Sequence, residues 1–260
     1  MGIFYSYKHN IDNRNNSRNN SKLDSMNYIF DIDGTLTPSR LRIDPEFEQF
    51  FLQWMKNKNV YLVTGSDKDK TIEQVGEKIW TNASRAYQSC GNAVYEGGEL
   101  IRQLDFKLDT ELQRLLYTFL ATSDWKHKHG NHIEERIGLI NFSSIGRDCD
   151  QSSRNAYYAW DKLQRERELF CKIVEDTFPE LEASVGGEIS IDIYPKGKNK
   201  AQVLQDIIGP ITFFGDKCQP GGNDYPLVER LGQLNEENNL SCVIHEVKDY
   251  KETWDILKRK

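Results

Sequence analysis

The sequence has no apolar run longer than a handful of residues, which excludes a membrane-spanning helix. It also lacks a basic excess. Lys and Arg number 34 against 40 Asp and Glu, a formal charge of −6, so this is not a protein that coats nucleic acid. Cysteine is sparse: Cys90, Cys149, Cys171, Cys218 and Cys242 are too few and too scattered for a disulfide scaffold. No two of them form a C-x-x-C pair, so nothing marks a structural zinc site, and a reduced, cytosol-like compartment is expected. No internal repeat is visible. What remains is ordinary for a globular chain: 260 residues, 38% hydrophobic and 28% charged, long enough for one large domain or two modest ones.

Residues 1–26 are expected to stay outside the fold. Residues 10–21 (NIDNRNNSRNNS) hold six Asn, two Arg and almost nothing apolar. Such a stretch cannot bury enough surface to offset its chain entropy. It has no apolar h-region, hence no secretory signal, and it lacks the apolar face of a transit peptide. Met26, directly before the first strand-like run, is compatible with an internal start.

Beyond it, Tyr28-Ile29-Phe30 reads as a short strand ending at Asp31. Asp44-Pro45 marks a helix start, and Phe47, Phe50, Phe51, Trp54 and Met55 follow at helical spacing as a core stripe. Val60–Val63 is the next strand, and Ile72, Val75 and Ile79 mark one further helix. Strand, helix, strand, helix with short connections predicts a parallel α/β sheet. The middle differs: a helix through Leu112, Leu115, Leu116, Phe119 and Leu120, a strand over Ile133–Ser143, and a long charged helix over residues 153–177. Residues 188–194 then alternate strictly, with Ile189, Ile191 and Ile193 on one side and Ser190, Asp192 and Tyr194 on the other. The α/β rhythm resumes with a helix at Ala201–Ile208, strand Ile211–Phe214, a helix after Asp224, strand Leu240–Ile244 and a last helix. The fold class is thus α/β: a doubly wound (Rossmann-like) parallel-sheet core formed by 27–101 and 197–260, interrupted by an inserted α+β module at 102–196.

The strongest chemical signal is Phe30-Asp31-Ile32-Asp33-Gly34. Two carboxylates two residues apart sit at the carboxyl end of the first strand, where open α/β sheets place their ligands. Such a pair suits a nucleophile beside a general acid/base, or a magnesium site. Other strand ends supply Thr64 and Ser66, Lys200, and Gly215-Asp216 followed by Asn223-Asp224 in a glycine-rich loop. Asp/Asp, Ser/Thr, Lys and Asp together compose a site for Mg²⁺-assisted phosphoryl transfer. In the insertion, Arg136, Arg147 and Arg154 fall within 19 residues, and the planar guanidinium fork suits a remote phosphate. His127, His129 and His132 read as a solvated loop rather than a metal site, and Cys218 as a bystander.

This set resembles the haloacid dehalogenase-like phosphotransferases. Residues 30–40 (FDIDGTLTPSR), 133–147 (IEERIGLINFSSIGR), 186–192 (GGEISID) and 213–224 (FFGDKCQPGGND) resemble, in order, the eukaryotic phosphomannomutase family over roughly residues 27–260. The resemblance implies interconversion of mannose 1-phosphate and mannose 6-phosphate through an aspartyl-phosphate and a hexose 1,6-bisphosphate, supplying mannose 1-phosphate for GDP-mannose synthesis. It implies Asp31 as nucleophile, Asp33 as general acid/base and Lys200 as the neutralising cation. Mg²⁺ would rest on the Asp31 carboxylate, the Asp33 backbone carbonyl and Asp216. Arg40 would lie near the substrate, Arg136, Arg147 and Arg154 would grip the distal phosphate, Ser190 and Asp192 would hold hydroxyls and phosphate, and Ser66 or Thr64 would bind the transferring group. A cytoplasmic homodimer joined through the cap is also implied, with sugar phosphates as partners and neither nucleic acid nor membrane. The chain departs from the family pattern at Thr64 for Gly, Asn199 for Asp, Ser89-Cys90-Gly91 for Glu-Asn-Gly, and Ser144 for Pro. The change at Thr64 motivates the alternative, a Mg²⁺-dependent sugar-phosphate phosphatase.

Overall fold

The computed structural model describes residues 6–9, 26–238 and 241–259. The chain divides into two compact units, with boundaries at Gln103/Leu104 and Gly197/Lys198. Before the insertion come strands β1 (Ser6–His9), β2 (Asn27–Phe30), β3 (Asn59–Val63), β4 (Arg85–Gln88), β5 (Ala93–Glu96) and β6 (Glu99–Asp105). Helices α1 (Pro45–Trp54), α2 (Lys68–Val75) and α3 (Glu77–Asn82) lie among them. The inserted unit holds α4 (Thr110–Thr122), β7 (Ile133–Arg136), β8 (Leu139–Phe142), α5 (Gln151–Gln164), α6 (Glu166–Thr177), β9 (Leu181–Gly186) and β10 (Ser190–Pro195). A 3₁₀ turn (Lys200–Asp206), β11 (Ile211–Gly215), α7 (Tyr225–Asn238), β12 (Val243–Glu246) and α8 (Tyr250–Lys258) complete the core.

The core sheet has the order β1-β6-β5-β4-β3-β2-β11-β12, parallel from β4 to β12. Strand β2 lies at the switch point, flanked by β3 on one side and β11 on the other, so its carboxyl end opens into the crevice that such sheets use for ligands. Alternation along β2 splits the core. Ile29 faces a cluster with Val203, Phe213, Leu227 and Leu231, whereas Phe30 stacks on Phe214 and meets Phe51 edge-on at 5.1 Å. The second face is rich in aromatic contacts, with Phe47 stacked on Trp254 of α8 at 5.2 Å. The Asp44 carboxylate caps α1 through the amides of Glu46 and Phe47, ahead of Pro45 at the first helical position.

In the inserted unit a four-stranded antiparallel sheet, β7-β8-β10-β9, packs Ile140, Phe142, Ile191 and Ile193 against Leu112, Leu116 and Phe119 of α4 and Phe170 and Val174 of α6. The alternating Ile189, Ile191 and Ile193 are all buried.

Several expectations are corrected. The sheet is mixed, because β5 and β6 extend the parallel strands with antiparallel pairing. The strand expected over Ile133–Ser143 is a hairpin, turned at Gly138 with φ +70°. The long helix over 153–177 is two helices. Arg165 adopts φ +56° between them, and Arg167 secures the break by donating from its backbone and its Nε to the buried Asp161 carboxylate at 3.0 and 2.7 Å. The helix marked by Ile72, Val75 and Ile79 is likewise split, at Gly76 with φ +81°. The helix expected at Ala201–Ile208 is the 3₁₀ turn, started by an i→i+3 bond from the Gln202 amide to the Asn199 carbonyl. The last strand begins at Val243, and its expected start, Leu240, lies outside the described residues. The leading segment contributes the strand Ser6–His9 beside β6, while residues 10–25 lie outside the described residues.

Candidate active site

Strand β2 hands directly into the site. The Asp31 amide still donates to Phe214 of β11 at 2.9 Å, and the chain then turns through Gly34 at φ +83°. The 3₁₀ turn delivers Lys200, fully buried, whose Nζ donates to Asp31 Oδ1 at 2.5 Å and to Asp224 Oδ1 at 2.6 Å. The other Asp224 oxygen accepts the Lys217 amide at 3.1 Å. Asp31, Asp216 and Asp224 each offer an oxygen within 4.8 Å of the others. Space for this cluster depends on Gly34, where a Cβ would stand 2.5 Å from Asp216 Oδ2.

Three carboxylates around one ammonium leave the centre electrically negative. Burial pushes the Asp31 carboxyl up, to about 7, against the pull of Lys200 and with the help of Asp224. Burial also raises Asp216, opposed by Lys217 and reinforced by Asp224. Burial alone would lower the Lys200 ammonium, but Asp224 and Asp31 outweigh it and hold it above the usual lysine range. Lys200 therefore remains charged, and the surplus negative charge is carried by the carboxylates. One of them is poorly satisfied: Asp216 Oδ1 is buried with no hydrogen-bond partner. An all-oxygen donor set, negative and with an orphaned oxygen, fits a hard divalent cation such as Mg²⁺.

Asp33 stands apart from this triad. Its Oδ1 accepts the backbone amide of Arg40 at 2.6 Å and the Gln74 Nε2 of α2 at 2.9 Å. Arg40 holds its amide there with φ +62°, while its side chain is exposed. At the end of β3 the buried Thr64 hydroxyl accepts the Ser66 amide at 3.1 Å, so Thr64 shapes the loop, and Ser66 is half-buried. Ser89 and Cys90, both in left-handed backbone, donate their amides to the Ser66 and Thr64 carbonyls. Gln202, two residues beyond Lys200, donates to the Cys90 carbonyl at 2.9 Å. Asn199 caps the lysine turn through the Ala201 amide at 3.0 Å, a task that needs its side-chain oxygen and no charge.

The inserted unit gathers the other expected residues. Glu134 and Arg136, two apart on β7 and therefore on one face, form an ion pair, with Arg136 Nε at 2.9 Å. Arg147 Nε lies 3.6 Å from the same Glu134 carboxylate, and its Nη1 donates to Ser190 Oγ at 3.4 Å. Arg154 of α5 lies 3.8 Å from Glu188. Asp192 faces Asn141 across the β8–β10 ladder and accepts its Nδ2 at 2.6 Å. Burial lowers the pKa of Arg147, and the adjacent guanidiniums of Arg136 and Arg154 lower it further. Arg147 is thus near enough to Arg136 and to Arg154 to feel both charges, a situation that an anion relieves. Burial raises the Asp192 carboxyl, opposed by Asn141, Arg136 and Arg147.

Asp224 followed Asp216 in the sequence reading without a role, and Gln74 was missed altogether. A lone Asp in a glycine-rich loop and a polar residue on an amphipathic helix give no local signal. Of the histidines, His132 sets its Nδ1 2.8 Å from the Ser143 carbonyl.

The architecture is shared with solved structures. The C. albicans trehalose-6-phosphate phosphatase C-terminal domain superposes with a TM-score of 0.59 at 14% identity, over 90% of this chain and 91% of that one. A Plasmodium falciparum IMP-nucleotidase also reaches 0.59, at 16% identity over 90% and 67%. Fold and sequence together define an enzyme of the haloacid dehalogenase-like class with an inserted cap. The family model described as eukaryotic phosphomannomutase matches residues 47–256. Phosphomannomutases of Oryza sativa subsp. indica, Arabidopsis thaliana and Drosophila melanogaster are 36, 35 and 34% identical. These matches span 77, 80 and 79% of this chain and 85, 89 and 87% of those proteins. The chain belongs to the eukaryotic phosphomannomutase family.

Proposed function

We propose that the chain interconverts mannose 1-phosphate and mannose 6-phosphate, with Asp31 carrying the phosphoryl group and a hexose 1,6-bisphosphate as intermediate. The observation that carries this reading is that the chain owns two charged centres of opposite build. The core has the buried Asp31 carboxylate beside the buried Lys200 ammonium, in a cluster suited to a divalent cation and through it to a phosphoryl group, and the inserted unit has Arg147 close to both Arg136 and Arg154. Simple hydrolysis of a monophosphate needs only the first. An intermediate with two phosphates needs both.

Asp31, Asp216 and Asp224 would hold Mg²⁺, with the Asp33 carbonyl as a further ligand. Bound there, the ion would neutralise the centre and polarise the phosphoryl oxygens. Lys200 orients Asp31 and pulls it towards the ionised form against burial, and Ser66 receives a phosphoryl oxygen. Asp33 takes the proton from the attacking sugar hydroxyl and returns it to the departing one. Arg136, Arg147 and Arg154 hold the phosphate that is not reacting, with Ser190 and Asp192 on the sugar and Arg40 near the substrate. Run towards mannose 1-phosphate, the reaction supplies GDP-mannose synthesis, consistent with a cytoplasmic enzyme of small sugar phosphates that engages neither membrane nor nucleic acid. Among the described residues no helix is long and apolar enough to cross a membrane. A homodimer through the inserted unit completes the reading, and a monomer mass by light scattering would remove that part.

The test incubates the protein with Mg²⁺, mannose 1-phosphate and trace hexose 1,6-bisphosphate, and measures mannose 6-phosphate and free phosphate together. Mannose 6-phosphate should far exceed free phosphate. Asp31→Asn should lower both by at least about four orders of magnitude. Dominant free phosphate would establish the sugar-phosphate phosphatase instead.

A further inference from the structure

The Asp33 carboxylate is held asymmetrically. Both donors that reach it, the Arg40 amide and the Gln74 side chain, bond to the same oxygen, Oδ1. A carboxylate oxygen has two lone pairs, so two N–H donors occupy Oδ1 and leave Oδ2 as the basic atom. We propose that Gln74 is a positioning residue that selects Oδ2 of Asp33 as the atom exchanging the proton with the sugar hydroxyl. The proposal rests on the acid/base reading of Asp33 given above.

The Gln74 amide has one orientation open to it. An ionised carboxylate only accepts hydrogen bonds, so the nitrogen must face Asp33. The same Nε2 lies 3.2 Å from Thr37 Oγ1, and Thr37 itself bonds back to the Ile32 carbonyl. Gln74 is 1% exposed, yet its Oε1 has no hydrogen-bond partner. Packing alone would be served better by an apolar side chain of the same length, because a buried, unsatisfied carbonyl is costly. The amide is therefore present for its nitrogen. The backbone does the rest: the Gln74 carbonyl accepts the Ile43 amide at 2.8 Å, tying α2 to the loop that carries Arg40. Arg40 reaches Oδ1 only through its left-handed backbone.

The step balances as follows. As the sugar oxygen bonds to phosphorus, its O–H bond breaks and the proton passes to Oδ2. The phosphorus–Asp31 bond breaks, and its electron pair returns to the Asp31 carboxylate. In the opposite direction Oδ2–H protonates the departing sugar oxygen. A donor whose leaving group needs no proton bypasses Asp33: with acetyl phosphate, acetate leaves as the anion while Asp31 is phosphorylated.

That bypass gives the experiment. Gln74→Met, similar in length but without the donor, is compared with wild type and with Asp33→Asn in two assays. One measures kcat and KM for mannose 1-phosphate with trace hexose 1,6-bisphosphate. The other measures single-turnover labelling of Asp31 by acetyl phosphate. Gln74→Met should lower kcat about 10- to 100-fold with KM within about twofold, and label at the wild-type rate within about twofold. Unchanged kcat overturns the proposal, and so does a parallel fall in both assays, which would mark Gln74 as part of the packing only. If Asp33→Asn itself keeps wild-type sugar transfer, the acid/base reading fails and takes the proposal with it. Should Gln74→Met not fold, Gln74→Asn, a methylene too short to reach Oδ1, is put through the same two assays with the same expectations.

Discussion

The two charged centres of this chain are built on opposite plans. In the core, one ammonium with no exposed surface sits between carboxylates at 2.5 and 2.6 Å, inside a negative cluster. In the inserted unit, three arginines are 13 to 29% exposed: Arg136 is paired closely with Glu134, whereas Arg147 and Arg154 reach their carboxylates or hydroxyl only at 3.4 to 3.8 Å. The first is closed, dry and geometrically fixed, as bond making at phosphorus requires. The second is partly exposed and, at Arg147 and Arg154, loosely tied, so that on the proposed reading a phosphate could replace a carboxylate there at small cost. On the same reading, rigidity is concentrated where bonds change, and yielding contacts where a group is only held.

This contrast makes unequal predictions. The largest effect belongs to Lys200→Met, which leaves Asp31 and Asp224 buried against each other. Urea unfolding should show a loss of about 3–5 kcal/mol together with the loss of turnover. Next comes pH. Between about pH 4 and 7 the folded chain keeps a proton near Asp31 that the unfolded chain has released, since burial raises that carboxyl to about 7. Stability without divalent cation should therefore fall as pH rises through this range, and Mg²⁺ should recover it, as followed by thermal unfolding. A stability that rises with pH there would contradict the charge assignment. In the inserted unit, Arg147→Lys should leave unfolding within about 0.5 kcal/mol while raising KM about tenfold, because lysine lacks the bidentate fork. A large stability loss in that variant would erase the distinction drawn between the two centres. The smallest effect is at Arg165: Arg165→Gly should raise stability by up to about 1 kcal/mol, the strain of left-handed backbone set against its exposed ion pair with Glu168.

The core was more legible than the insertion, and for a physical reason. Parallel strands buried on both faces give near-continuous apolar runs such as Tyr28–Phe30 and, broken only by Thr212, Ile211–Phe214, with the carboxylates at their ends. Asp31, Asp33 and Asp216 were visible because strand ends are where such sheets bind. In the insertion, residues 133–143 are β-like throughout, and the fold of the hairpin hinges on Gly138 alone. The break at Arg165 is invisible in sequence, since an arginine is not a turn residue and the charged pattern runs on through Glu166. What holds it is the Asp161–Arg167 pair, a tertiary contact. Gln74 and Gln202 were hidden for the same reason: each acts on a backbone or carboxylate far away in the chain, at Asp33 and at Cys90.

Gly34 has a consequence for how this sequence is able to vary. Any side chain there meets the Asp216 carboxylate at 2.5 Å and must also adopt φ +83°. Accommodating one requires the Asp216 carboxylate to move, and with it the candidate cation site. Variation at this position is therefore constrained from the far end of the chain as well as by its own backbone.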